Sequence, residues 1–309
     1  MTDKTKGYIL GAIAAATYGM NPLFALPLYA DGMNPDSVLL FRYLLAIPIV
    51  AAMIKARGRS FAVPPKIIVP LAGLGLLMAL SSLALFLSYN YMDAGIASTL
   101  LFVYPVMVAV IMAAVFRERL KLLTVICIAT ALAGILLLYN GPENATLSAA
   151  GTALVIVSAL SYAVYIVWVN RPPLKDIATL TVTFYVLASG VLLFAARLCT
   201  VSEPTLPARW YLWGNLMALA LFPTAISLLC TTRAIQYIGS TPTAILGALE
   251  PVTAVVIGAT VFGERMNGRE IAGLILIVGA VTLVVGGDTV SHRMLHYRKM
   301  FPRIFHHEK

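Results

Sequence analysis

Charge is scarce in this chain of 309 residues: 11% of them are Asp, Glu, Lys or Arg, where a soluble domain carries about 25%. With 60% hydrophobic residues and a mean hydropathy of +0.90, the chain has too little polar surface to cover itself in water, which excludes a soluble globular protein. Histidine is missing from the apolar body. The four present (His292, His296, His306 and His307) lie near the C-terminus, so no imidazole is on offer for a metal or for acid–base chemistry within the bilayer. Cysteine is limited to Cys127, Cys199 and Cys230, widely spaced and without a CxxC pair; these read as small hydrophobes rather than as a disulfide framework. A GxxxxGK[ST] phosphate loop is also lacking, so ATP-driven transport by this chain alone is excluded. No metal and no cofactor are expected. The +9 net charge calls for no nucleic-acid partner, because basic excess is expected on the cytoplasmic loops of a membrane protein.

What the chain does have is a sentence said twice. Pro105 through Arg119 and Pro251 through Arg265 agree at nine of fifteen positions, at an offset of 146. A repeat of that period means two similar halves, 1–143 and 144–287, followed by a basic tail over 288–309. Gly7, Leu10, Ala15 and Tyr18 match Gly151, Leu154, Ala159 and Tyr162 at an offset of 144. The first apolar stretch is therefore expected to be a retained span and not a signal peptide cleaved after Ala30.

A span needs about 20 mostly apolar residues. That criterion predicts an all-α integral membrane protein with ten transmembrane helices, at 7–30, 35–54, 67–90, 94–116, 122–139, 149–169, 177–196, 211–236, 239–262 and 268–286. With that threading, seventeen Lys and Arg fall on one side against four on the other, which places both termini in the cytoplasm. Five spans per half is an odd number, so the halves enter the membrane in opposite orientation. Two inverted five-helix repeats are an architecture from which secondary transporters build alternating access, with the substrate near the midplane.

Within this frame a few residues stand out. Pro105 and Pro251 fall mid-span and are expected to kink their helices and free the carbonyls of Leu101 and Gly247. Glu250 is the only acid deep in a span, and an intramembrane carboxylate is a functional candidate by default. It can titrate, hold a substrate cation or form a structural ion pair. Arg42 can snorkel outward, bind a substrate carboxylate or neutralise Glu250. Tyr18 and Asn21 share a helix face, Tyr162 and Tyr165 repeat that arrangement, Tyr89 ends the third span and Tyr104 precedes the first proline. These polar aromatics are candidates for lining a substrate cavity or for bonding between helices. Gly11, Ala15 and Gly19 form a small-residue line for close helix approach.

The duplicated span ending in Phe116-Arg117-Glu118-Arg119 and Phe262-Gly263-Glu264-Arg265, with Leu249-Glu250-Pro251 inside the second copy, resembles the EamA-type transporters of the drug/metabolite transporter superfamily. The resemblance covers about residues 7–286 and makes Glu118 and Glu264 a repeat signature. It implies a ten-helix inverted-repeat carrier of the inner membrane that exports amino acids or other small metabolites, or exchanges phosphorylated or nucleotide-linked sugars. It also implies a cavity between helices 1, 3, 4, 6, 8 and 9. Where the family commonly has tryptophan, this chain has Tyr18. A membrane-embedded enzyme, a channel or a structural subunit are the alternatives. The partners expected are a small-molecule substrate and the lipid bilayer, with the oligomeric state, monomer or dimer, left open.

Overall fold

The computed structural model describes residues 2–92, 97, 100–118, 121–138, 148–201, 203–261 and 268–300, the last fifteen by backbone alone. All regular structure among the described residues is helical. The elements are α1 (Asp3–Gly19), α2 (Asn21–Ala30), α3 (Pro35–Ala56), α4 (Pro65–Ser88), α5 (Tyr104–Phe116), α6 (Leu122–Leu138) and α7 (Ala149–Trp168) in the first part of the chain. They are followed by α8 (Thr179–Thr200), α9 (Leu212–Leu219), a π-helical turn (Ala220–Ile226), α10 (Ser227–Ile238), α11 (Ser240–Leu246), α12 (Leu249–Val261) and α13 (Gly268–Met300). In a bilayer every backbone polar group must be satisfied within the protein, and helices do this locally. Their starts are marked in the sequence. Asn34 caps α3 by accepting from the Ser37 N–H at 2.8 Å, and Pro22, Pro35, Pro65 and Pro105 occupy first turns, where a missing N–H costs nothing.

Among the described residues, seven helical stretches are long and apolar enough to cross a membrane: Asp3–Ala30, Pro35–Ala56, Pro65–Ser88, Ala149–Trp168, Thr179–Thr200, Leu212–Ile238 and Ser240–Ile257. Three more, Tyr104–Phe116, Leu122–Leu137 and Ile271–Val285, are apolar but shorter. Against the ten spans expected, the described residues show seven candidates of full length and three shorter apolar helices. A 13-residue helix reaches only about 20 Å, less than the hydrocarbon thickness of about 30 Å. Three of the long stretches are interrupted: at Met20 before Pro22, at the π turn around Pro223, and at Gly247–Ala248 before Pro251. The last expected span, 268–286, opens a helix that runs on to Met300, into the expected tail.

Neighbouring helices can be oriented from their end contacts. Asp36 at the start of α3 meets Arg197 at the end of α8, while Ser60 just past α3 meets Thr181 at the start of α8. The two helices therefore run antiparallel. The same holds for α6 and α13, where Arg269 donates to the Leu136 carbonyl, and for α1 and α10, where Ser227 donates to the Ala14 carbonyl and Gly7 abuts Ile238. Contacts come in matched sets. The α1–α10 packing has its counterpart in α4–α7, and α1–α12 has its counterpart in α5–α7. Glycines set several of these distances: a Cβ on Gly75 would strike Ser189 and Val186 of α8, and one on Gly134 would strike Gly273 and Ile277 of α13. Small residues at such crossings replace the hydrophobic drive that lipid does not supply.

Candidate functional site

The interruption at Gly247–Ala248 is the feature that builds the site. Pro251 has no N–H to give to Gly247, so the turn tightens: Ala248 N–H donates to Ile245 and Glu250 N–H to the Gly247 carbonyl at 2.8 Å. The expectation that Gly247 keeps a free carbonyl is thereby corrected. The Ala244 carbonyl takes a donor from outside, the Tyr104 hydroxyl at 3.2 Å. That hydroxyl lies where a Cβ on residue 247 would go, so only glycine fits there. Pro105 and Pro251 both sit in the first turn of a fresh helix, α5 and α12, rather than inside a bent one.

Glu250 occupies the first turn of α12 with 8% of its surface exposed. It shares a small chamber with Tyr104, Tyr162, Thr231, Thr243 and Gly247. Its free volume of about 10 Å³ is room for about one water. Among the described residues, no hydrogen bond or ion pair reaches the Glu250 carboxylate. Tyr104 and Tyr162 meet edge to face with centroids 4.9 Å apart, and Tyr162 stacks on Tyr165 at 6.3 Å. The small-residue line of α1 makes the enclosure possible: Gly11 lies against Leu246, Ala15 lines the chamber, and Gly19 lies against the Glu250 carbonyl and Thr253.

Two of the roles expected for Arg42 do not hold in this structure. It is 1% exposed, so it does not snorkel, and among the described residues it forms no ion pair with Glu250. Its guanidinium bridges three neutral acceptors: the Thr224 hydroxyl, the Pro223 carbonyl at 3.1 Å and Asn21 Oδ1 at 3.0 Å. Tyr18 lies beneath it, with the guanidinium carbon 5.8 Å from the ring centroid. Tyr18 is also within electrostatic reach of Glu250. The structure thus brings Tyr18, Asn21 and Arg42 into one cluster, and Tyr104, Tyr162 and Glu250 into another beside it. Tyr89, at the end of α4, stacks on Phe86 at 5.6 Å and is within electrostatic reach of Tyr18. Glu118 is exposed just past α5, remote from the chamber. Glu264 lies outside the described residues.

Reasoning from sequence missed a clasp at one end of the bundle. Asp36 and Arg197 pair through two hydrogen bonds of 2.7 and 3.3 Å, Asn34 Nδ2 donates to the Glu203 carbonyl at 2.6 Å, and Ala208 N–H donates to Asp31 at 2.8 Å. These tie the α2–α3 connection to the segment after α8. Nothing in the spacing of Asp36 and Arg197, 161 residues apart, announces their meeting. Thr224 was also missed, because its role depends on the π turn that aims it at Arg42.

The model of the EamA-like transporter family matches residues 5–140 and again residues 149–286. Among curated proteins, the chain is 24% identical to the uncharacterized transporter YcbK of Bacillus subtilis, covering 96% of this chain and 95% of that one. It is 26% identical to the uncharacterized inner membrane transporter YedA of Escherichia coli K12, covering 85% and 86%. It is 29% identical to an uncharacterized transporter of Synechocystis, covering 74% and 67%. One solved crystal structure superposes with a TM-score of 0.77 at 19% identity, over 94% of this chain and 99% of that one; it bears on the fold alone.

Proposed function

The chain belongs to the EamA-like transporter family, and on that premise we propose that it is a secondary carrier moving a small metabolite across the inner membrane by alternating access. The proposed direction is outward, with both termini in the cytoplasm. The two halves, 1–143 and 144–287, are read as inverted five-helix repeats, with the short helices α5, α6 and α13 completing the ten spans. Supporting this are the family model's two matches, the antiparallel courses of α3 with α8 and of α6 with α13, and the matched contact sets.

The observation that carries the reading is Glu250: a buried carboxylate at a helix break, in a polar-aromatic chamber walled by both halves. A carboxylate held there without a fixed cation is suited to take a proton or a substrate cation in one state and release it in another. The clasp at Asp36–Arg197 is read as closing the outer side in this conformation. Tyr18, Asn21, Arg42, Tyr104 and Tyr162 are proposed to shape the substrate's path around Glu250, with Tyr89 at its outer edge.

Reconstituted protein should show saturable counterflow of labelled candidate metabolites, driven by unlabelled substrate inside the liposomes. Flux that rises linearly with concentration and shows no trans-stimulation would make this a channel and end the carrier reading.

A further inference from the structure

At the end of the bundle opposite the clasp, the chain past α3, the α7–α8 connection and α10 enclose a cavity of about 760 Å³. Four cations converge on it: Arg57, Arg59, Lys175 and Arg233. One acid, Asp176, stands against them. Among the described residues no ion pair engages any of the four; Arg233 hydrogen-bonds Gln236 Oε1 at 3.0 Å. A positive bias on cytoplasmic loops accounts for basic residues at this end, but topology asks only that they lie in loops. It does not ask three separate segments to bring them to the lining of one concavity. Arg171, in the same connection as Lys175, turns away onto the Phe116 ring at 3.8 Å.

The cavity also has depth. The wall formed by α10 and the last residue of the π turn runs from Gln236 down to Ile226, ten residues or about 15 Å at helical rise. Further in than Arg57 and Arg233 the lining is apolar at Met53, Leu229 and Ile226, while Leu10 lies near the level of Arg233. A cationic mouth over an apolar shaft, inside low-dielectric walls that focus the field, suits a compact multivalent anion on an apolar or neutral body. A single guanidinium fork suits carboxylate and phosphate alike, but three guanidiniums and an ammonium can share the greater number of oxygens and higher charge of a phosphate, where a carboxylate offers two oxygens and one charge.

We propose that this cavity is a phosphate-group binding site distinct from the Glu250 chamber, with which it shares no lining residue. Its ligand presents a phosphate to Arg57, Arg59, Lys175 and Arg233. The phosphate comes either from an anionic lipid headgroup or from a free phosphate compound. The inference concerns binding alone and stands whether or not the transport reading holds.

Cys230, half-buried in the cavity wall, supplies the readout. The full-length protein carrying Cys199→Ser, which removes the exposed thiol, is placed in phosphatidylcholine nanodiscs. Alkylation of Cys230 by a soluble maleimide is then followed at constant ionic strength. Inorganic phosphate at about ten times its Kd should slow alkylation about tenfold, as occupancy requires, while chloride should not. Asp176→Asn should strengthen protection at subsaturating phosphate. The exposed-residue triple variant Arg57→Gln, Arg59→Gln, Lys175→Gln should lose it. In a parallel arm, nanodiscs containing phosphatidylglycerol and no added phosphate should protect Cys230 if the headgroup is the source. Protection by inorganic phosphate alone would name the free anion. Equal alkylation under every condition, or protection that survives in the triple variant, overturns the site.

Discussion

The Tyr104 hydroxyl donates to the carbonyl of Ala244 across the break between α11 and α12. One hydrogen bond thus ties the first half of the chain to the point where the second half's helix is interrupted. Because the same hydroxyl fills the space beside Gly247, the two residues are coupled sterically as well.

That coupling predicts a non-additive pair. Tyr104→Phe should cost about 1 kcal/mol, the net worth of a typical hydrogen bond, and Gly247→Ala about 1–3 kcal/mol, the usual cost of overpacking. In the double variant the nearest clashing atom is gone, so its loss should fall below the sum. Thermal unfolding in detergent of the four proteins closes the cycle; strict additivity would show that the hydroxyl is not what excludes the methyl group.

Arg42 is predicted to resist conservative replacement. Lysine keeps the charge but has no planar fork to reach the Thr224 hydroxyl, the Pro223 carbonyl and Asn21 together. Arg42→Lys should lower stability by about 2 kcal/mol, the scale of a buried charge-assisted hydrogen bond. A melting temperature equal to that of the parent protein would contradict this.

For the clasp, Asp36→Asn and Arg197→Gln should each loosen the end of the bundle that holds α2 and the start of α3. In a Cys199→Ser background, which removes the exposed thiol at this end, a cysteine introduced at Tyr29, whose hydroxyl is buried without a partner among the described residues, should then react faster with an impermeant maleimide added from the side of the clasp. The charge swap Asp36→Arg with Arg197→Asp should restore slow labelling, because the pair meets side by side at 2.7 and 3.3 Å. Labelling that is fast in the swap and in the single variants alike would mean that the ion pair is not what matters.

Glu250→Gln removes the ionisable group from the chamber and leaves its shape nearly unchanged. Uptake into proteoliposomes by the parent protein should depend on pH; this variant should lose that dependence, and any proton-driven accumulation should vanish. A variant with the parent's pH profile would remove Glu250 from coupling and leave it a structural role.

Much of this site was legible before any coordinates. The solitary acid at Glu250, the prolines beside it and the tyrosines Tyr104 and Tyr162 are all conspicuous because an apolar sequence contains so few polar residues. Their consequences were less legible. Proline chemistry forecasts a disturbed helix, but whether a helix bends or stops depends on what can satisfy the exposed carbonyls, and here that is a hydroxyl 140 residues away.

Hydropathy, loop charge and an internal repeat are local or periodic quantities, so the sequence by itself determined the membrane class, the apolar segments and the expectation of two related halves. Partnership between distant polar groups is set by how helices cross, and crossings depend on shape at each contact. Only the tertiary structure, therefore, decided that Arg42 serves the π turn at Pro223 rather than Glu250. It likewise decided that Asp36 meets Arg197 and that four cations from separate segments share one cavity.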